Sequence, residues 1–419
     1  MGKKIHEPIG YKGEILRSSK TGSKLSAHFC SEDEALERIK TEMEKVGITR
    51  LANITGLDRI GIPVYNSIKP TANGFSVQHG KGMSLKASKI SAAMESFERF
   101  YGLGQRIDFF QMTYRELEKK YRVIPYHYLP LSKYSIFHPD LPVEWCLGWD
   151  IVNQEEVAVP RQSVRIRSYK IKKEWKLFQM TSNGLSAGFD FLEAILQGLL
   201  EVIERDAVTC SMHAARRVGS VFPLHRLRLD TIQSPDIGNL LRKIEDASVL
   251  PLIYDCRVNT DVPTFKCYLL DKLDPMGGIS YGMGASLEPE EAMVRAINEA
   301  AMARPVFNSG ARDASSHEEF KAYRLGNSAL LVKNFENEQG TTDVSHIRSE
   351  SGETFHEDIL ICIDKLKAVG LDQVIVFPLT EKGNGITAVR VIVPGLEGYL
   401  LPDYRPGLRA QAYLGGKAT

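Results

Sequence analysis

Ser91, Glu95 and Glu98 follow one another at steps of four and three, with Arg99 next in line. On an α-helix those steps stack the side chains on one face. The design recurs twice. Glu193, Gln197, Glu201, Glu204 and Arg205 form a second series, and Glu291, Arg295 and Glu299 a third. Aligned without gaps, Ser91, Gln197 and Arg295 share one column, and Glu95, Glu201 and Glu299 share the next. Several carboxylates facing one space are a way to hold hard cations such as Mg2+. Arginines among them neutralise charge on a phosphoryl group. The pattern therefore points to a magnesium–nucleotide site.

Each series is preceded by a strand-like segment and a glycine-rich turn: Phe75 to Gly82, Ser182 to Gly188, and Ile279 to Gly284. A glycine-rich turn feeding a helix N-terminus is a ready place for phosphate. The competing reading is three solvated helix faces. Such faces mix Lys with Glu, because the i,i+4 pair stabilises the helix. The second series has no such mixture: no Lys occurs from Leu177 to Leu241, and its acids sit beside Ile195, Leu199, Leu200, Val202 and Ile203. Stacked acids without counter-ions repel one another unless a cation joins them. That favours a site over a solvated face.

The 419 residues carry a net charge of +1, which points to neither nucleic acid nor a membrane surface as partner. A local basic run (Arg161, Arg165, Arg167, Lys170, Lys172, Lys173) reads as a solvated strand and loop, or as a surface for an acidic partner. The six cysteines are scattered, with no CxxC pair. Cys210 is expected just past the second helix as a structural thiol. No apolar leader or membrane-length segment occurs, so the expectation is a cytoplasmic protein with free thiols.

Residues 32–46 have the spacing of an amphipathic helix, with Ser31 as N-cap and Gly47 as stop. Thr49 to Tyr65 reads as strand, turn, strand. Residues 105–175 read as a β-containing insert, and 308–350 as a mobile loop or lid. A helix followed by two strands is expected at 237–270 and again at 355–394. This order predicts an α+β fold of mixed sheets, organised as a single domain over residues 1–419. Walker, protein-kinase and zinc signatures are absent. Gly184 to Gly188 matches GxSxG, which leaves Ser186 as a hydrolase nucleophile as an alternative, with His225 or His317 as its base. His79 and His213 read as structural or exposed.

Taken in order, these motifs resemble the YcaO family. The helix from Ser91 to Arg99 is similar to that family's Sx3ExxER signature. Ser186, Glu193 and Gln197 fall at Sx6Ex3Q spacing, and Glu291 with Arg295 gives Ex3R. Thr55 to Pro63 (TGLDRIGIP) also resembles the family, and the likeness runs from about Leu16 to Arg409. The resemblance implies a YcaO-type fold and an ATP- and Mg2+-dependent enzyme that phosphorylates a peptide backbone amide. By the same resemblance, Glu95, Glu98, Glu201 and Glu204 hold magnesium. Ser91, Ser186, Glu193, Gln197, Arg295 and Glu299 line ATP. Arg99 and Arg205 either touch phosphates or act as structural partners of the acids.

Within the family, many azoline-forming members end in a PxPxP tail that the segment from Leu401 does not reproduce. Val391 to Glu397 resembles members that work with a TfuA-type partner and make thioamides, including glycine thioamidation of methyl-coenzyme M reductase. The expectation is therefore thioamide formation on a peptide or protein substrate, with a TfuA-like partner and an external sulfur donor. Azoline formation, and an ATP-binding accessory role in ribosomal-protein methylthiolation, stand as alternatives. A homodimer is left open.

Overall fold

The computed structural model describes residues 9–23, 25–104, 106–167, 175–273, 279–311, 328–398 and 404–415. Two short hairpins come first: β1 (Ile9–Tyr11) with β2 (Glu14–Leu16), and β3 (Thr21–Ser23) with β4 (Ser26–His28). Helix α1 (Glu32–Val46) has the predicted limits. The Ser31 side chain accepts from the Glu34 N–H, and Gly47 ends the helix in the left-handed region at φ 80°. Strands β5 (Arg50–Asn53), β6 (Val64–Ile68) and β7 (Val77–Lys81) form an antiparallel sheet in that order. Helix α2 (Leu85–Tyr101) packs back on it.

Next come β8 (Phe110–Met112), α3 (Tyr114–Leu117), β9 (Arg122–Val123), β10 (Val143–Asp150), β11 (Glu155–Pro160), α4 (Arg161–Val164), β12 (Leu185–Gly188) and the long α5 (Phe191–Arg217). The chain continues through β13 (His225–Arg226), α6 (Pro235–Asp246), β14 (Val249–Asp255), β15 (Thr264–Asp271), β16 (Ile279–Ala285) and α7 (Pro289–Asn308). It ends with α8 (Ser328–Phe335), α9 (Phe355–Ala368), β17 (Ile375–Pro378), β18 (Thr387–Ile392) and α10 (Leu408–Ala412). The fold is α+β, as the element order predicts.

Three sheets matter for the site. The β5-β6-β7 sheet ends in β7. A seven-stranded sheet, ordered β12-β18-β17-β10-β11-β9 with β8 on β10, ends in β12. The antiparallel β13-β14-β15-β16 sheet ends in β16. Each of these edge strands leads into one of the acid-bearing helices, α2, α5 or α7. The strands of residues 110–160 thus share a sheet with β12, which feeds the central helix. Separate apolar cores stand behind the walls: α5 with α9 and β18, and α6 and α7 with β14 and β15.

Two local expectations change. Helix α5 continues to Arg217, so Cys210 lies inside it and is buried. Its apolar stripe carries on through Val208, Met212 and Ala215, which prolongs the helix past the acids. The glycines also work differently from a phosphate-cradling turn. Gly80 lies within β7, where a Cβ would stand 2.0 Å from the Ala92 nitrogen of α2. Gly282 in β16 would stand 2.3 Å from the Ala300 nitrogen of α7. These glycines let each strand lie against the backbone of its own helix. In the first turns, the Ser84 side chain accepts the Ala87 N–H of α2, and the Asp190 side chain accepts the Leu192 and Glu193 N–H groups of α5.

Part of the basic run (Lys170, Lys172 and Lys173), part of the expected mobile loop (312–327) and His317 lie outside the described residues. Of the run, Arg161 pairs with Glu144 at 2.9 Å and Arg165 is buried. No described helix is long and apolar enough to cross a membrane. All six cysteines are buried free thiols, and burial pushes the Cys30 thiol up to about 11.

Candidate functional site

The three acid-bearing helices face one cavity of about 1750 Å³. All twelve residues singled out from the sequence line it: Ser91, Glu95, Glu98, Arg99, Ser186, Glu193, Gln197, Glu201, Glu204, Arg205, Arg295 and Glu299. Glu291 joins them. The shared columns become spatial neighbours. Arg295 Nη1 donates to Gln197 Oε1 at 2.9 Å, linking α7 to α5 within one column. Helix spacing fixes the direction of each side chain, and strand–helix packing brings the three faces together.

The hydrogen bonds show what each residue does. Arg99 Nε donates to Glu95 Oε1 at 3.0 Å, and Arg205 lies 3.6 Å from Glu201 and 3.5 Å from Glu204. Both arginines are therefore partners of the acids. Arg295 pairs with Glu291 at 2.8 Å, and Glu291 also accepts from Ser286 at 2.7 Å. Glu98 Oε1 accepts the Ala187 N–H at 3.0 Å, so a side chain of α2 caps the free edge of β12. The Ser91 hydroxyl accepts the Lys81 N–H at 3.4 Å in the same way at β7.

Two predicted residues are already engaged. Ser186, buried, donates to the Ala194 carbonyl of α5 at 2.5 Å and so ties β12 to its helix. Among the described residues no histidine hydrogen-bonds to it, and His225 instead pairs with the Gly415 carbonyl at 3.1 Å. Among the described residues, the hydrolase alternative thus lacks a base at Ser186. Glu193 accepts from the Phe29 N–H at 3.0 Å and the Phe189 N–H at 2.8 Å, with His28 Nδ1 3.3 Å away. Its carboxylate fastens the N-terminal hairpin region to the cavity wall.

Sequence reasoning missed Lys81. Its ammonium reaches from β7 across to Glu299 of α7 at 2.5 Å, and both residues line the cavity. The signal was the lone Lys between Gly80 and Gly82, in a segment otherwise read for its glycines. His79 also lines the cavity, held by Asn66 at 2.7 Å.

The electrostatics are unbalanced. Burial pushes the Glu98 carboxyl well above the usual range, and the neighbouring Glu95 and Glu201 push it further. Burial raises Glu201 to about 7 against the opposing pull of Arg205, while Glu204 and Glu95 add to the rise. Glu204 is raised by burial and by Glu299, against Arg205 and Lys81. Burial also acts on Glu291, but Arg295 and Ser286 outweigh it and hold that carboxyl low. Glu95, Glu201 and Glu204 thus pair with Arg99 and Arg205, while Arg390 also acts on Glu201, and Lys81 and Arg295 on Glu204, yet burial and mutual repulsion keep Glu98, Glu201 and Glu204 raised. A divalent cation relieves such a cluster, so the residues fit Mg2+. No group of three His, Cys, Asp or Glu suited to a metal is preformed among the described residues. Mg2+ bound through one or two carboxylates plus phosphate and water does not require one. Arg99, Arg205, Arg295 and Lys81 are cationic side chains that line the same cavity.

A family model described as YcaO cyclodehydratase, ATP- and Mg2+-binding, matches residues 79–397. An uncharacterised protein of Methanothermobacter thermautotrophicus is 32% identical over 391 residues, covering 90% of this chain and 97% of that protein. A protein encoded in the tfuA 3′ region of Rhizobium leguminosarum bv. trifolii is 29% identical over 413 residues, covering 95% of each. A solved heterocyclase in complex with substrate and cofactor shares the fold, with a TM-score of 0.76 at 18% identity over 94% of this chain. The chain spans 55% of that heterocyclase. The fold is shared also with YcaO from Methanopyrus kandleri bound with AMPPCP and Mg2+, with a TM-score of 0.68 at 22% identity over 91% of this chain and 98% of that one.

Proposed function

The chain belongs to the YcaO family of ATP- and Mg2+-binding, peptide-modifying enzymes, and on that premise we propose that it activates a backbone amide by O-phosphorylation, for thioamide formation with an external sulfur nucleophile. The observation that carries the proposal is the meeting of all twelve motif residues on one cavity with an excess of carboxylates. In this reading Glu95, Glu98, Glu201 and Glu204 hold Mg2+. When bound, Mg–ATP supplies the phosphoryl group that turns an amide oxygen into a leaving group. Arg99, Arg205 and Arg295, each steered by a glutamate, face the phosphates together with Lys81. Ser91, Gln197 and Glu299 line the nucleotide. Ser186 and Glu193 hold its walls through their hydrogen bonds to backbone.

Support for the thioamide branch comes from the relative encoded beside tfuA, similar over 95% of both chains. The methanogen relative, similar over nearly its whole length, agrees with that branch. A peptide or protein substrate, a TfuA-like partner and a sulfur donor in the cytoplasm belong to this reading. The test is mass spectrometry of candidate peptides incubated with the chain, ATP, Mg2+ and sulfide. Replacement of oxygen by sulfur supports the proposal. Loss of water points to azoline formation instead. Binding of ATP with no peptide change points to an accessory role.

A further inference from the structure

Outside the lining of the cavity lies a second ionic cluster of Asp58, Arg59, Asp271 and Arg304. The segment Thr55 to Pro63 leaves β5 and crosses to the α6–α7 layer before returning as β6. Ile60 and Ile62 of this segment are 4% and 3% exposed and sit in the core with α6, β14 and α7. Its charged pair is equally committed. Arg304 Nε of α7 donates to Asp58 Oδ1 at 3.0 Å, and Arg304 Nη2 to Asp271 Oδ2 at 2.9 Å. Arg59 Nη2 donates to the other oxygen of Asp271 at 2.6 Å, and Arg59 Nε to the Ala247 carbonyl at 2.7 Å. The side chains of Asp58 and Asp271 are only 6% and 4% exposed. Asn308, the last residue of α7, donates to the Leu57 carbonyl at 2.8 Å.

This cluster joins two walls of the cavity. One wall is the β5–β7 sheet, which carries Lys81; the other is α7, which carries Glu299. The walls meet again inside the cavity through the Lys81–Glu299 pair. Arg304 follows Glu299 by five residues, about 7.5 Å along the same helix, with Pro305 beside it. Fixing Arg304 therefore constrains where α7 presents Glu299 to Lys81. Buried charges cost desolvation energy, and apolar packing alone would join two walls as firmly. What a fork shared by two carboxylates adds is a fixed register, because its geometry admits one arrangement.

We infer that Asp58, Arg59, Asp271 and Arg304 are positioning residues for the nucleotide site, acting through α7 to hold Glu299 and Lys81 in place. The inference rests on the nucleotide reading above. It accounts for the TGLDRIGIP segment, whose Asp and Arg lock the register and whose two isoleucines anchor it.

The experiment is calorimetry with Mg–ATP on the full chain in four forms: wild type, Asp58→Asn, Glu299→Gln and the double variant, each with its thermal midpoint. Asp58→Asn is expected to weaken Mg–ATP about tenfold. Added to Glu299→Gln it is expected to cause no further loss, because its effect passes through Glu299. A lowered midpoint with unchanged affinity would mean a purely structural cluster and overturn the inference. So would losses that simply multiply in the double variant. Should Asp58→Asn not fold, Arg304→Lys keeps the charge but not the shared fork, and the same outcomes are read from it. If the wild type itself binds no Mg–ATP, the nucleotide reading falls and the inference with it. If the wild type binds and Asp58→Asn matches it, the inference falls alone.

Discussion

Buried carboxylates occupy two contrasting settings in this chain. In the first, each acid meets an arginine fork. Asp58 and Asp271 share Arg304, and Asp271 also takes Arg59. Asp206, fully buried on α5, receives Arg409 Nε and Nη2 at 2.9 and 2.8 Å and the Glu397 N–H at 2.9 Å. In the second setting, within the cavity, acids face acids. Burial, Glu95 and Glu201 raise the proton affinity of Glu98, and burial, Glu204 and Glu95 raise that of Glu201 against Arg205 and Arg390. The settings meet on one helix: Glu201, Glu204 and Arg205 line the cavity, while the next residue, Asp206, fastens the C-terminal segment. Acids matched by arginines hold the structure together. Acids that outnumber their arginines are kept in place by that structure and are stabilised only when a further cation arrives.

The sharpest way to break this contrast is to remove one acid from each setting. Asp206→Ala leaves the half-buried Arg409 with only Asn259 and is expected to cost about 3 kcal/mol, seen as a large fall in the thermal midpoint. Glu201→Ala removes a repelling charge, so its midpoint is expected to stay at or above wild type. Equal losses from the two substitutions would erase the distinction.

The pH dependence should run in opposite directions with and without ligand. The folded pKa of Glu201 is raised to about 7 from an ordinary 4.5, so over that window the native state holds more protons than the unfolded chain. Its contribution to ligand-free stability therefore falls as pH rises from 4.5 toward about 7. Mg2+ needs the deprotonated carboxylate, so Mg–ATP affinity should rise across the same window. Denaturation and calorimetry at several pH values check both signs.

Lys81→Met tests the cross-cavity pair. It should weaken Mg–ATP about tenfold, since it removes a phosphate-facing cation and unties Glu299. The smallest effect is expected at Ser186→Ala. Losing its bond to the Ala194 carbonyl should cost about 1 kcal/mol of stability and leave Mg–ATP affinity nearly unchanged. A large loss of affinity there would mean that the hydroxyl also meets the nucleotide.

Much of this was legible from spacing. The limits of α1 follow from Ser31, the apolar period and Gly47. The shared columns of the three helices put Gln197 and Arg295 at equivalent positions, and in the fold the two touch. Helical period sets side-chain direction, and three matching directions imply one shared space. Other features were hidden because they depend on chain segments far apart in sequence. Asp58 and Arg304 are 246 residues apart, and nothing local marks them as partners. Lys81 read as part of a glycine turn because its acid lies 218 residues on. The glycines themselves misled: their number suggested a phosphate cradle, whereas Gly80 and Gly282 are small because a helix backbone lies against them. Cys210 was placed beyond α5 because the helix was followed by its acids, and those end before its apolar stripe does.

The central claim is that the excess carboxylates of the cavity form an Mg2+-dependent nucleotide site. Calorimetric titration of ATP, with and without Mg2+, into the wild type and Glu201→Ala tests it most directly. The account predicts tight binding to the wild type only with Mg2+, and loss of that binding in a Glu201→Ala variant that remains folded. Mg2+-independent binding, or undiminished binding by Glu201→Ala, would contradict it.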